Sequence, residues 1–137
     1  MYLIDTNIIS EVRKGPRCDP RVATWYQQVR DDDLFLSVLV VGEVRQGIER
    51  LRPRNPRGAQ ALEQWLEEVR ESLGERILPV DEKVAQNWGR FAARGTIPVA
   101  DALLAATAEA HGLTLVTRNI KDLARTGVRC LDPFQAP

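Results

Sequence analysis

The sequence predicts an α/β protein with three layers, in which a central, short-stranded and mainly parallel sheet lies between helices. Short apolar runs alternate with helical patterns along the chain, which is typical of parallel α/β sheets. The runs are apolar throughout, as expected for strands that helices cover on both faces. The predicted strands span residues 2–5, 34–37, 77–80, 114–117 and 128–131.

Helices are predicted between these strands, because apolar residues recur there every three or four positions. Such amphipathic stripes run through residues 22–29, 62–73 and 84–92, and all three tryptophans lie on them, which favours core packing over base stacking. Residues 99–111 are rich in Ala and Leu, with a proline directly ahead and a glycine directly behind. These start and stop signals predict one further helix, buried on most sides.

The chain has 137 residues, which suits a single domain spanning residues 1–137. Its 19 basic residues balance its 19 acidic ones, so the composition does not favour a protein that coats nucleic acid. No apolar run approaches the ~18 residues of a membrane span, and no basic leader precedes the first strand, so a cytoplasmic location is expected. Cys18 and Cys130 are predicted to be reduced thiols.

Three carboxylates are predicted to meet at the edge of the sheet where parallel strands bind ligands, outside their carboxyl ends. Asp5 closes the first strand, Glu43 lies about two turns into the helix after the second, and Asp101 opens the buried helix. Each has an ordinary explanation, since Asp5 and Asp101 suit helix N-termini and Glu43 suits a solvated flank. Gathered in one cleft, however, carboxylates repel one another unless a cation neutralises them.

Mg²⁺ is the cation that this set of groups favours, because it takes oxygen ligands and keeps several waters. His111 is the only histidine, which argues against a zinc or copper site, and no glycine-rich phosphate loop is present. An acidic Mg²⁺ site of this kind indicates hydrolysis of a phosphate ester. Arg45, Arg94 and Arg118 are candidates for holding phosphates, although a solvated surface role is favoured for each of them.

Four segments, in order along nearly the whole chain, resemble the motifs of PIN domains. They are residues 3–10 (LIDTNIIS), 40–48 (VVGEVRQGI), 98–108 (PVADALLAATA) and 115–123 (LVTRNIKDL). The residues of these four segments are particularly similar to those of PIN-domain ribonuclease toxins of the VapC and FitB type, from bacterial toxin–antitoxin pairs. A PIN-like α/β/α fold is what the resemblance implies for the whole chain.

The resemblance also implies an endoribonuclease that uses Mg²⁺, with Mn²⁺ as a possible substitute. By this resemblance Asp5 and Asp101 are the principal metal ligands, and Glu43 completes the site directly or through a bound water. Thr6 is expected to orient Asp5 by hydrogen bonding. Asn119 stands where many PIN domains carry a fourth acidic residue, so a second metal is expected to bind weakly or only with substrate.

The partners that the resemblance implies are RNA as substrate, a cognate DNA-binding antitoxin similar to VapB or FitA, and a second copy of the chain. Two other functions stay open at this point. One is a non-catalytic PIN-like or flavodoxin-like binding module in which the acids are only helix caps. The other is a receiver-type domain with Asp5 as phosphoacceptor, which lacks the paired acids and well-placed lysine of that chemistry. The RNA target is not predicted.

Overall fold

The fold is known from a computed structural model that describes residues 1–135. Within them, five parallel strands form one sheet in the order β3-β2-β1-β4-β5, and seven α-helices flank it. The strands are β1 Tyr2–Ile4, β2 Leu34–Ser37, β3 Ile77–Leu78, β4 Thr114–Val116 and β5 Cys130–Leu131. The predicted α/β architecture is therefore confirmed, while its division as a single domain over residues 1–137 stays a prediction.

Five of the seven helices fall where the sequence predicts one, at residues 22–29, 62–73, 84–92 and 99–111 and after the second strand, and short 3₁₀ turns lie in some of the connections. They are α1 Thr6–Val12, α2 Pro20–Gln28, α3 Val38–Leu51, α4 Pro56–Leu73, α5 Glu82–Ala93, α6 Val99–His111 and α7 Ile120–Leu123. Proline occupies the first turn of α2 and α4, where its fixed φ suits a helix and its missing N–H costs nothing. None of the helices among residues 1–135 is long and apolar enough to cross a membrane.

Four of the five strands, β1, β3, β4 and β5, are shorter than predicted. β1 ends before Asp5 because this residue caps the following helix. β3 ends before Pro79, which has no N–H to donate to a neighbouring strand. β5 begins only at Cys130, and the N–H of Val128 donates to the hydroxyl of Thr126.

The sheet and α6 form the centre of the core. Leu3, Leu36 and Leu115 of three neighbouring strands are at most 1% exposed. Helix α6 buries six residues along its length, which confirms the predicted buried helix. The three tryptophans are half-buried and pack against the core clusters, and both cysteines are free thiols.

The register of β1 and β4 decides which polar residues meet at the carboxyl edge of the sheet. Ile4 pairs with Val116, so the residues that follow them, Asp5 and Thr117, leave the sheet side by side. The backbone N–H of Asp5 donates to the carbonyl of Val116 at 3.0 Å, and that of Thr117 donates to the carbonyl of Leu131 at 2.9 Å. The first and fourth predicted motifs are thereby joined through the backbone.

Candidate functional site

Asp5 is the most buried of the predicted site residues, with 6% of its surface exposed. It caps the N-terminus of α1, and its Oδ1 accepts a hydrogen bond from the Thr6 backbone N–H at 2.7 Å. Its Oδ2 accepts two more, from the Thr117 hydroxyl at 2.7 Å and from the Asn7 side-chain amide at 3.3 Å. The capping role is therefore real, but three donors also hold the carboxylate in one orientation.

Thr6 connects Asp5 to Glu43, which lies two turns into α3. While the Thr6 backbone N–H donates to Asp5, its hydroxyl donates to Glu43 Oε1 at 2.9 Å. The hydrogen bond that was expected from Thr6 to Asp5 thus comes from the backbone, and the side chain is used for Glu43. Glu43 is itself exposed, so the structure places it at the open side of the cluster.

Asp101 lies in the first turn of α6 and is half-buried. Burial raises the pKa of its carboxyl group, and the negative charge of Asp5 raises it further. Asp122 and Glu43 add smaller contributions in the same direction, while the side chain of Asn119 opposes the rise. Asp101 therefore lies within the electrostatic field of both other predicted ligands.

Asn119 lies in the turn after β4 and directly precedes α7. Its side chain is exposed, and its backbone N–H donates to the Thr117 hydroxyl at 3.1 Å. The amide at this position brings no charge. The negative charge of Asp122, three residues on, raises the pKa of Asp101. Thr117 was not predicted as a site residue, because a threonine at the end of an apolar strand carries no local signal of its contacts.

The candidate phosphate-binding arginines lie in different surroundings. Arg45 forms ion pairs with Glu63 and Glu49 at 2.5 and 3.2 Å, so its charge is used to join α3 to α4. Arg94 and Arg118 each place the guanidinium over a phenylalanine ring, at 5.6 and 3.9 Å from the ring centre. Arg118 follows Thr117 directly and is exposed beside the acidic edge, which makes it the best placed of the three.

The acids suit a metal ion that prefers oxygen ligands and keeps part of its water shell, and they suit less well an ion that protein side chains surround completely. Among residues 1–135, no three acidic, histidine or cysteine side chains lie close enough together to form a ready-made metal cage. Mg²⁺ does not need such a cage, because it binds through one or two carboxylates and keeps its remaining waters. The buried Oδ1 of Asn7, whose amide nitrogen donates to Asp5, has no hydrogen-bond partner among the described residues. The donor set therefore fits Mg²⁺ or Mn²⁺.

The parallel sheet, with Asp5 at the carboxyl end of its central strand β1 and with Glu43 and Asp101 near it, defines a PIN-like α/β protein. Residues 2–128 match the PIN domain family. The chain therefore belongs to the PIN-domain family.

Relatives and solved structures carry the comparison further. The chain is 33% identical to "Toxin FitB" of Neisseria gonorrhoeae, over 98% of this chain and 99% of that protein. It is 30% identical to "VapC ribonuclease Y4jK" of Sinorhizobium fredii, with the same shares covered. The crystal structure of FitAcB from Neisseria gonorrhoeae superposes with a TM-score of 0.91 at 32% identity, over 99% of this chain and 100% of that one. The structure of FitAB bound to a DNA fragment superposes with a TM-score of 0.89 at 31% identity, over 100% of this chain and 98% of that one.

Proposed function

We propose that this chain is a Mg²⁺-dependent endoribonuclease, the toxin of a type II toxin–antitoxin pair, which hydrolyses RNA phosphodiester bonds at the acidic edge of its sheet. The observation that carries the proposal is the link through Thr6, which joins Asp5 to Glu43 while Asp101 lies in the field of both. The names of the relatives support the same activity, since one is a toxin and another a ribonuclease.

In this proposal Asp5 and Asp101 hold the metal, and Glu43 completes the site directly or through a bound water. When bound, Mg²⁺ supplies a more acidic water and neutralises charge on the phosphate. The Thr6 backbone N–H keeps Asp5 oriented, and its hydroxyl keeps Glu43 nearby. The amide of Asn119 offers a neutral hydrogen-bonding group at the fourth position, so we expect one firmly held Mg²⁺ and a second that binds weakly or only with substrate.

Cleavage of RNA by the purified chain tests the proposal directly. A long single-stranded transcript should be cut in the presence of Mg²⁺ and left intact when EDTA is added in excess, with Mn²⁺ restoring the activity. Gel electrophoresis of the products measures this, and DNA of the same sequence serves as the control substrate. If the folded chain cuts no RNA with either ion, and titration detects no Mn²⁺ binding, the chain is a non-catalytic binding module.

A partner protein is the second part of the proposal, because solved relatives are complexes such as FitAB bound to DNA. A groove of about 290 Å³ between α1, α2, α4 and β2, lined by apolar side chains that include Val12, Trp65 and Val69, supports it. We expect the product of the gene next to this one to co-elute with the chain, to suppress RNA cleavage and to bind DNA. A neighbouring product that fails to bind the chain contradicts this assignment.

The proposed toxin acts in the cytoplasm, where its RNA substrate is found, and it forms a homodimer. Light scattering of the isolated chain measures the second point, since a dimer has twice the 15.4 kDa mass of the chain. A mass that stays at the monomer value across a concentration series contradicts the dimer and leaves the proposed chemistry unaffected.

A further inference from the structure

Thr117 lies at the contact between the first and fourth motifs. It is the first residue after β4, and its side chain is fully buried. Because Ile4 and Val116 pair in register, Thr117 leaves the sheet next to Asp5, although 112 positions separate the two residues in the chain. Its position is therefore set by the sheet and not by a flexible loop.

The hydroxyl of Thr117 makes two hydrogen bonds. Its proton is donated to Asp5 Oδ2 at 2.7 Å, and its oxygen accepts the Asn119 backbone N–H at 3.1 Å. Because the Asn119 N–H can only donate and a carboxylate oxygen accepts, the single hydroxyl proton is directed to Asp5. The bond is buried and its acceptor is a carboxylate, which makes it stronger than a neutral pair.

The other donors to Asp5 cannot take over this task. The Thr6 N–H binds Oδ1 and belongs to the cap of α1. Within residues 1–135, only the Asn7 amide shares Oδ2 with Thr117, at the longer distance of 3.3 Å. Without the Thr117 hydroxyl, Oδ2 would therefore depend on one weaker donor from the same short helix, and the carboxylate would be freer to turn.

We propose that Thr117 is a positioning residue, whose hydroxyl holds the Asp5 carboxylate in the orientation that binds the metal ion and ties it to the Asn119 turn. The proposal rests on the proposed function, because it gives Thr117 a role through a metal ligand. Groups that orient a ligand in this way typically change metal affinity about 10- to 100-fold when they are removed.

The test compares Thr117→Val, which keeps the shape and removes the hydroxyl, with Thr117→Ser, which keeps the hydroxyl. Mn²⁺ affinity is measured by electron paramagnetic resonance titration without RNA, and the melting temperature is measured in parallel. Thr126→Val is the matched control. Thr126 is also buried, and its hydroxyl also accepts from an N–H two residues on, that of Val128, but it donates to the Leu123 carbonyl.

We expect Thr117→Val to weaken Mn²⁺ binding by about 10- to 100-fold, and Thr117→Ser to bind nearly as well as the wild type. Thr126→Val should lower the melting temperature and leave Mn²⁺ affinity unchanged. The proposal is overturned if Thr117→Val binds Mn²⁺ like the wild type, if Thr117→Ser loses as much as Thr117→Val, or if Thr126→Val loses as much affinity. A wild-type chain that binds no Mn²⁺ overturns the proposed function as well, so the two failures are distinguishable.

Discussion

Asp5→Asn should reduce Mg²⁺-dependent RNA cleavage at least about a hundredfold while the chain stays folded. A metal ion at such a site contributes several kcal/mol to the transition state, and each ~1.4 kcal/mol is worth about tenfold in rate. The amide brings no charge for the ion. Asparagine caps helices as well as aspartate does, so α1 keeps its N-cap.

The stability of Asp5→Asn reflects two opposing effects. Both carboxylate oxygens of Asp5 accept hydrogen bonds, whereas the NH₂ group of an asparagine would face one of these donors, and this costs stability. Removing the charge also relieves repulsion with the neighbouring acids. Thermal melting therefore accompanies the cleavage assay, and only a folded variant counts as a result.

Asp19→Asn is the matched control for this variant. Asp19 caps α2 by accepting from the backbone N–H groups of Arg21 and Val22, so the same substitution is made at the same kind of position. We expect it to cut RNA like the wild type. If Asp5→Asn also cuts like the wild type, Asp5 is only a helix cap and the proposed metal site is wrong.

Asp101→Asn is expected to abolish cleavage to a similar degree and, unlike most changes at a partly buried residue, to stabilise the fold at neutral pH. Burial and the charges of its neighbours raise the pKa of this carboxyl group, so its ionised form is disfavoured in the folded state. A neutral side chain of the same shape removes that unfavourable contribution. The loss of charge also removes a principal ligand in the proposed site.

The pH dependence of this effect has a definite sign. Because the folded pKa of Asp101 is raised above its ordinary value of 3.8, the folded state binds the proton more tightly than the unfolded state. The resulting stabilisation is complete below about pH 3.8 and is lost as the pH rises through the folded pKa. The stability advantage of Asp101→Asn over the wild type should therefore grow from acidic to neutral pH and then level off.

Urea unfolding of both proteins at a series of pH values measures this advantage. Glu82→Gln is a suitable control, because Glu82 is an exposed acid in the first turn of the neighbouring helix α5. Glu82→Gln should lower the free energy of unfolding by a few tenths of a kcal/mol, whereas Asp101→Asn should raise it, because a negative charge in the first turn interacts favourably with the helix dipole. An Asp101→Asn variant that is less stable than the wild type at neutral pH contradicts the proposed crowding of charge around Asp101.

The positions of strands and helices could be predicted from the sequence because their signals are local. Apolar runs, three-to-four spacing, prolines in first turns and the glycine after residue 111 all act within a few residues of one another. The same local patterns, with the rule that ligands meet at the carboxyl ends of parallel strands, indicated Asp5, Glu43 and Asp101 as neighbours. The errors in the elements lay at strand ends, and the hydrogen bond expected from Thr6 to Asp5 comes from its backbone N–H, while its hydroxyl donates to Glu43.

By itself, then, the sequence determined the fold class and the approximate positions of the elements, and it predicted the acids at the edge of the sheet. The tertiary structure decided which atoms touch. It assigned the Thr6 hydroxyl to Glu43, committed Arg45 to ion pairs with α4, and brought Thr117 from the far end of the chain to Asp5. These contacts depend on the order and register of the strands, in which β1 lies between β2 and β4. No local pattern carries that information, since it arises from packing between residues that are distant in the chain.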